Sequence, residues 1–298
     1  MVPASDGPGY EVIAVRYGTR QTTKSDVFLH YALYGEPDEP TQMDYFFWVL
    51  RGAGRTILVD CGFNERSGAR RGRTMLCPPA TALRRLGIEP ADVSMLIVTH
   101  AHYDHVGNVG QFPAAQVIMS AAEYEFWTSP LGGRPLFATS AEADDIAALQ
   151  RIRADGRLTL LAPAGACASP VTQGVADGVW VAAGVCVLEV GGHTPGQLVV
   201  LARMADGEAV LASDALHYYD EARLDRPFAH VADLPAMYRG FELLRALAAE
   251  PTRYLVAGHD PEVLRRFPPV ATAADRDVAG LAVRIGPAAA SPSEAGEG

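Results

Sequence analysis

The sequence predicts a mixed α/β fold in which the strands of one domain are covered by helices. Short apolar, β-rich runs recur in both halves of the chain, and helical patterns lie between and after them. No stretch rich in Pro, Gly and Ser separates the two halves. We therefore predict a single domain over residues 10–285 in two similar halves, a flexible N-terminus over 1–9 and a disordered tail over 286–298.

The first half predicts a hairpin followed by alternating helices and strands. In order, the predicted elements are strands at 11–18, 44–51 and 56–62, a helix at 79–87, a strand at 94–100, a strand passing into a helix at 116–127, and a helix at 140–156. The Gly-containing turn at 52–54 joins the second and third strands. The last helix is predicted from a Ser140 cap, acidic residues in the first turn and a stop at Gly156.

The second half repeats this organisation. The predicted strands lie at 157–163, 178–184, 186–192, 197–204, 208–215 and 254–260, and the predicted helices at 232–250 and 260–267. Most of these strands are bounded by Gly or by a short turn. Strands covered by helices are thus predicted on both sides of the chain's midpoint.

Composition excludes several classes of protein. The 298 residues are 49% hydrophobic and 20% charged, which is typical of globular proteins and excludes collagenous or fully disordered chains. A formal net charge of −10 opposes non-specific binding to nucleic acid or an anionic membrane and favours a small substrate. The arginines are scattered along the chain and indicate no phosphate site.

The cysteines and the apolar runs bear on location. Cys61, Cys77, Cys167 and Cys186 match neither a redox pair nor a zinc motif, so we predict reduced packing residues. No run approaches the roughly 18 apolar residues of a membrane span, and residues 1–9 lack a signal-peptide pattern. We therefore expect a soluble, cytoplasmic protein.

Three of the eight histidines lie within six residues, directly after the strand at 94–100. In this segment, HAHYDH, the side chains with ligand chemistry are His100, His102, Asp104 and His105. The carboxyl end of a buried strand delivers side chains to the sheet edge, where they can converge. Imidazoles and a carboxylate form a ligand set that suits zinc or a similar divalent ion.

Further ligand-type residues follow later strands in the same way. His193 lies in EVGGHTPGQ, Asp214 in VLASDA and His259 in YLVAGHD, each after an apolar run and small residues. One catalytic metal needs about four protein ligands or fewer, so this dense set favours a second ion.

The ordered set HxHxDH, then His193, Asp214 and His259, resembles the metallo-β-lactamase superfamily. The resemblance extends from about residue 44 to about residue 267 and includes Asp60, which matches an acidic residue on an early strand. It implies a four-layer αββα sandwich with a dinuclear site at the rim between its halves. It further implies that the first metal is held by His100, His102 and His193, the second by Asp104, His105 and His259, and both by a bridging Asp214.

The segments HAHYDHVGN, GGHTPGQ and SDALHYY look most like the N-acyl homoserine lactonase branch. Two departures stand out: His217 takes the place of the branch's tyrosine, with Tyr218 next to it, and Gln197 replaces a second histidine found in many relatives. The resemblance implies that His217 or Tyr218 contacts the substrate carbonyl and acts in catalysis, and that Asp104 shuttles a proton to the leaving oxygen. Asp60 reads equally as a turn residue or as one that orients a ligand histidine.

The resemblance therefore implies an enzyme, a quorum-quenching type of lactonase that opens a lactone ring by attack of a hydroxide held between two divalent metal ions, most simply Zn²⁺. The alternatives are a glyoxalase II-like thioesterase, a lactonase for aromatic or other non-homoserine lactones, and an idle metal-dependent binding protein. We expect a monomer or homodimer acting on a small lactone or ester. The aromatic residues Tyr124, Phe126 and Trp127 are interpreted as core or as an acyl pocket.

Overall fold

The computed structural model of the chain describes residues 9–52, 54–162, 178–270 and 278–287. The strands in this part of the chain are β1 (Glu11–Thr23), β2 (Pro40–Gly52), β3 (Arg55–Val59), β4 (Thr74–Met75), β5 (Val93–Ile97), β6 (Gln116–Ser120), β7 (Leu158–Leu161), β8 (Val179–Ala182), β9 (Val185–Glu189), β10 (Leu198–Met204), β11 (Gly207–Ser213), β12 (Arg253–Ala257) and β13 (Ala282–Arg284). The helices are α1 (Lys24–Val27), α2 (Glu65–Arg70), α3 (Pro79–Arg85), α4 (Tyr103–Val106), α5 (Ala121–Thr128), α6 (Pro135–Ala138), α7 (Ala143–Ala154), α8 (Tyr219–Leu224), α9 (Leu234–Ala248) and α10 (Val263–Arg266). Cys167 and most of the two predicted flexible ends lie outside the described residues.

The strands form two mixed sheets. One sheet has the order β13-β1-β2-β3-β5-β6-β7, with β4 paired to β1, and the other has the order β12-β11-β10-β9-β8. The long hairpin of β1 and β2 is antiparallel, whereas β3, β5, β6 and β7 run parallel. In the second sheet β11 and β12 are parallel, so the carboxyl ends of these two strands lie side by side.

Alternating side chains of β2 show how the layers pack. Phe46 and Trp48 belong to a core that also contains β9, β10 and β11 side chains of the second sheet, so this face lies between the sheets. Tyr45, Phe47 and Val49 point the other way, into a core shared with helices α3, α5 and α7. Helix α9 covers the outer side of the second sheet with side chains such as Phe241 and Leu244. The predicted four-layer αββα sandwich is confirmed.

The predicted elements are largely present, with two corrections. The helix predicted to begin at Ser140 begins at Ala143 with Glu142 as its N-cap, because the Ser140 carbonyl instead accepts a hydrogen bond from the Tyr103 amide at 2.9 Å. The helix predicted over 260–267 forms only the single turn Val263–Arg266. Both differences reflect tertiary contacts that a local pattern does not encode. That the chain is one domain stays a prediction.

Candidate metal centre

The seven predicted ligands follow strand ends and converge in the folded chain. His100, His102, Asp104 and His105 follow β5, His193 follows β9, Asp214 follows β11 and His259 follows β12. All seven side chains are buried, with at most 9% exposure. The parallel pairing of β11 and β12 explains why Asp214 and His259 meet although 45 residues separate them.

Asp214 lies at the centre of this group, with one oxygen facing each half. Its Oδ2 atom lies 3.3 Å from His193 Nε2 and 3.7 Å from His100 Nε2. Its Oδ1 atom lies 3.2 Å from His105 Nε2 and 3.1 Å from His259 Nε2. A carboxylate with this arrangement can contribute one oxygen to each of two adjacent metal ions.

The ligand-type atoms divide into two groups, each with all atoms within 4.8 Å of one another. The groups are His100, His102, His193 and Asp214, and Asp104, His105 and His259. They correspond to the two sets that the resemblance implied. Either group is small enough to surround one ion.

The donor atoms fit a metal because they have no other role in the fold. The buried atoms His100 Nε2, His105 Nε2, His259 Nε2 and Asp214 Oδ1 have no hydrogen-bond partner in the described part of the chain. Buried polar atoms are normally satisfied, and leaving one unpaired costs about 1–3 kcal/mol. Four such atoms facing a common point are explained by bound divalent cations.

Hydrogen bonds fix the histidine tautomers in the form that a metal needs. The Nδ1 atom of His193 donates to the His230 carbonyl at 2.8 Å, and that of His259 donates to the Asp44 carbonyl at 2.7 Å. Because a carbonyl oxygen can only accept, the proton lies on Nδ1, and each Nε2 presents a lone pair towards Asp214.

Burial keeps several of these imidazoles neutral. Desolvation lowers the pKa of His102 to about 3 and holds the pKa values of His100 and His193 well below the ordinary range. Neutral imidazole is the form that binds metal, so these side chains need not lose a proton at neutral pH.

Asp60 lies behind the ligands and contacts one of them. Its Oδ2 atom accepts from His105 Nδ1 at 2.8 Å, and its Oδ1 atom accepts from the Thr99 amide at 2.8 Å. Asp60 has a left-handed backbone conformation, with φ at 60°, and is fully buried. Both interpretations of this residue thus have a counterpart in the structure, since it is a turn residue that also holds a ligand histidine.

Glu123 is a site residue that the sequence gave no reason to select. Its buried carboxylate accepts from the Ala101 amide at 2.9 Å, from Trp127 Nε1 at 2.6 Å and from the Gly196 amide at 3.0 Å. These amides belong to the two loops that carry His100, His102 and His193. Glu123 therefore ties the two loops of the first ligand group together.

His217 and Tyr218 occupy different environments. His217 is fully buried, its ring is stacked on Phe228 at 3.7 Å, and its Nε2 atom lies 3.0 Å from Asp214 Oδ2. Burial lowers the pKa of His217, but the carboxylates of Asp214 and Glu221 outweigh it and raise the pKa to about 9. The Tyr218 hydroxyl donates to the Gln42 carbonyl at 3.2 Å. Their substrate contacts stay predictions.

Two cavities open beside the ligands. The first, the arginine cavity, has a volume of about 230 Å³ and is lined by Asp104, His102 and Asp214 together with Arg20, Arg71, Arg73, Tyr45 and Tyr103. The second, the apolar recess, has a volume of about 110 Å³ and is lined by Phe126, Trp127, Phe137, Pro195 and Val231. Both share His102 and His193. Neither His217 nor Tyr218 is among the described residues that line them.

Fold and site together define the class of protein, and the chain belongs to the metallo-beta-lactamase superfamily, whose model matches residues 42–259. Among its relatives, the N-acyl homoserine lactonase AttM of Azorhizobium caulinodans is 30% identical over 200 residues, which is 62% of this chain and 65% of that protein. The AttM of Agrobacterium fabrum is 27% identical over 204 residues, again 62% of this chain and 65% of the relative. The matches thus span just under two thirds of these relatives.

Solved structures share the fold over nearly their whole length. A quorum-quenching N-acyl homoserine lactone lactonase superposes with a TM-score of 0.69 at 22% identity, over 86% of this chain and 95% of that chain. A dizinc quorum-quenching lactonase gives a TM-score of 0.62 at 18% identity, over 87% of this chain and 90% of that chain. The resemblance to the N-acyl homoserine lactonase branch is confirmed.

No helix in the described ranges is both long and apolar enough to cross a membrane.

Proposed function

We propose that this protein is a dinuclear metal-dependent hydrolase that opens a lactone ring. The observation that carries this proposal is the placement of Asp214, whose two oxygens each face a separate buried histidine group beside an open cavity. Membership of the superfamily and the similarity to N-acyl homoserine lactonases support the substrate class. We propose Zn²⁺ as the metal because imidazole-rich sites suit it.

The proposed ligands follow the two groups in the structure. His100, His102 and His193 would hold one ion, Asp104, His105 and His259 the other, and Asp214 both. Bound divalent cations supply a water acidified towards neutral pH and a Lewis acid for the carbonyl oxygen.

The chain's own side chains would position the substrate and move the proton. The Asp104 carboxylate lines the arginine cavity, with Oδ2 3.8 Å from both His105 Nε2 and His259 Nε2. In our proposal Asp104 Oδ2 takes the proton released during attack on the lactone carbonyl and returns it to the ring oxygen as that oxygen leaves. His217 acts through Asp214 as a positioning residue, because it contacts that carboxylate at 3.0 Å from a fully buried position.

Substrate class is tested by steady-state hydrolysis with zinc-loaded protein. The panel compares N-acyl homoserine lactones, simple butyrolactones and aromatic lactones with S-acyl glutathione and CoA thioesters. We expect turnover of lactones. Turnover of thioesters alone would replace lactonase by a glyoxalase II-like activity, and turnover of neither class would leave a metal-dependent binding protein. The cytoplasmic location and the monomer-or-homodimer state stay predictions.

Asp60→Asn is expected to weaken zinc binding by about 10–100-fold, the usual cost of losing a partner that orients a metal ligand. The variant keeps the side-chain size, and Asn tolerates the left-handed backbone, but it removes the charge that holds the proton on His105 Nδ1. Competition with a chromophoric chelator measures the Kd. The matched control is Asp92→Asn, at an exposed carboxylate before β5. Equal zinc affinities in the two variants would show that Asp60 serves only the turn.

A further inference from the structure

The arginine cavity is strongly cationic although the protein as a whole is acidic. It is lined by Arg20, Arg71 and Arg73, and the carboxylates in its described lining are Asp104 and Asp214. Both of these belong to the proposed ligand set, where bound cations would more than offset their charge. The cavity thus concentrates positive charge in a chain of formal net charge −10, which focuses anions towards it.

The three arginines differ in their partners. Arg71 forms an ion pair with Glu142 and donates to the Thr139 carbonyl at 2.9 Å, so its charge is used within the fold. Arg73 donates to the Tyr103 hydroxyl at 3.0 Å and to the Arg71 carbonyl at 2.6 Å, both neutral groups. In the described ranges neither Arg20 nor Arg73 has a carboxylate within ion-pair distance.

Arg20 offers the clearest sign of a missing partner. It is half-buried, and its Nε atom is buried without a hydrogen-bond partner in the described part of the chain. Taking a guanidinium out of water is costly unless an anion or acceptor compensates. The Tyr45 hydroxyl in the same lining donates only to Met43 Sδ at 3.8 Å, a weak acceptor. Donors in this cavity therefore exceed acceptors.

We propose, building on the proposed lactonase function, that the substrate is a lactone carrying a carboxylate, which binds Arg20 and Arg73 while its carbonyl lies at the metal centre. Each planar guanidinium can give a carboxylate two parallel N–H donors. The apolar recess on the other side of His102 and His193 would take an uncharged part of the same molecule. An uncharged N-acyl homoserine lactone would leave both arginines unpaired.

The test compares γ-butyrolactone bearing a ring carboxylate with its methyl ester and its carboxamide, using zinc-loaded full-length protein. We expect kcat/KM for the carboxylate to exceed that for the methyl ester by about tenfold or more, the scale of a charge-assisted hydrogen bond. Arg20→Gln should bring this ratio close to one. The matched control Arg84→Gln removes an exposed arginine paired with Glu89 and should keep the wild-type ratio.

A second readout needs no variant. Raising the salt concentration should lower kcat/KM for the carboxylate and leave that for the methyl ester nearly constant, because screening acts on the charged substrate. Neutral lactones hydrolysed as well as the carboxylate, with the same salt dependence, would overturn the proposed carboxylate site and leave the lactonase proposal intact. Failure of all three lactones would instead overturn the lactonase proposal itself.

Discussion

Asp214→Asn is expected to lower kcat/KM for lactone hydrolysis by about a thousandfold, equivalent to roughly 4 kcal/mol of transition-state stabilisation. An amide nitrogen cannot bind a cation, so Asn can serve only one of the two histidine groups that the carboxylate now faces at 3.1–3.7 Å. The metal content should fall from two ions per chain to one or fewer. Steady-state kinetics and elemental analysis of the purified variant measure both effects.

Asp220→Asn provides the control for this experiment. Asp220 follows six residues later, lies half exposed and pairs with Arg223 on the surface at 2.8 Å. It removes the same charge from the same region without touching the ligands, so activity and metal content should stay at wild-type values. Full activity with two bound ions in Asp214→Asn would refute the bridging role, whatever its circular dichroism spectrum showed.

The convergence of the ligands was predictable because strand ends encode it. An apolar β run followed by small residues and one ligand-type side chain recurs before His193, Asp214 and His259. Parallel neighbours such as β11 and β12 must end at one edge, so sequence separation has little bearing on spatial separation. The ordered spacing of the whole set supplied what the strands alone did not, namely the division into two groups.

The arginine cavity shows what the sequence hid. Arg20 lies on β1, whereas Arg71 and Arg73 follow α2, and their separation along the chain gave no reason to group them. Only the long β1–β2 hairpin and its contact with β4 bring these segments together. A scattered residue type in the sequence can thus be a concentrated charge in the fold.

Glu123 was missed for a different reason. A glutamate in the first turn of a helix is ordinarily interpreted as a dipole partner at the surface. Its actual role depends on two backbone amides, Ala101 and Gly196, and backbone groups leave no mark on residue identity. The same limitation applies to Ser140, whose carbonyl is occupied by the Tyr103 amide.

Removal of the bound metals is expected to lower the melting temperature by about 10 °C as well as abolish activity. Without cations, His100 Nε2, His105 Nε2 and His259 Nε2 are buried polar atoms with no hydrogen-bond partner among the described residues. An ion at a thousand times its Kd stabilises the native state by about 4 kcal/mol. At about 2–4 °C per kcal/mol for a domain of this size, that corresponds to the expected shift.

Differential scanning calorimetry before and after dialysis against a chelator measures this shift, and adding metal back tests its origin. Zn²⁺ should restore both the melting temperature and the activity, whereas Mg²⁺ should restore neither, because it prefers oxygen ligands and gives up its water shell reluctantly. A melting temperature that stays constant while the metal content falls from two ions to none would contradict the dinuclear centre. Since the test needs no substrate, it separates the metal site from the choice of lactone.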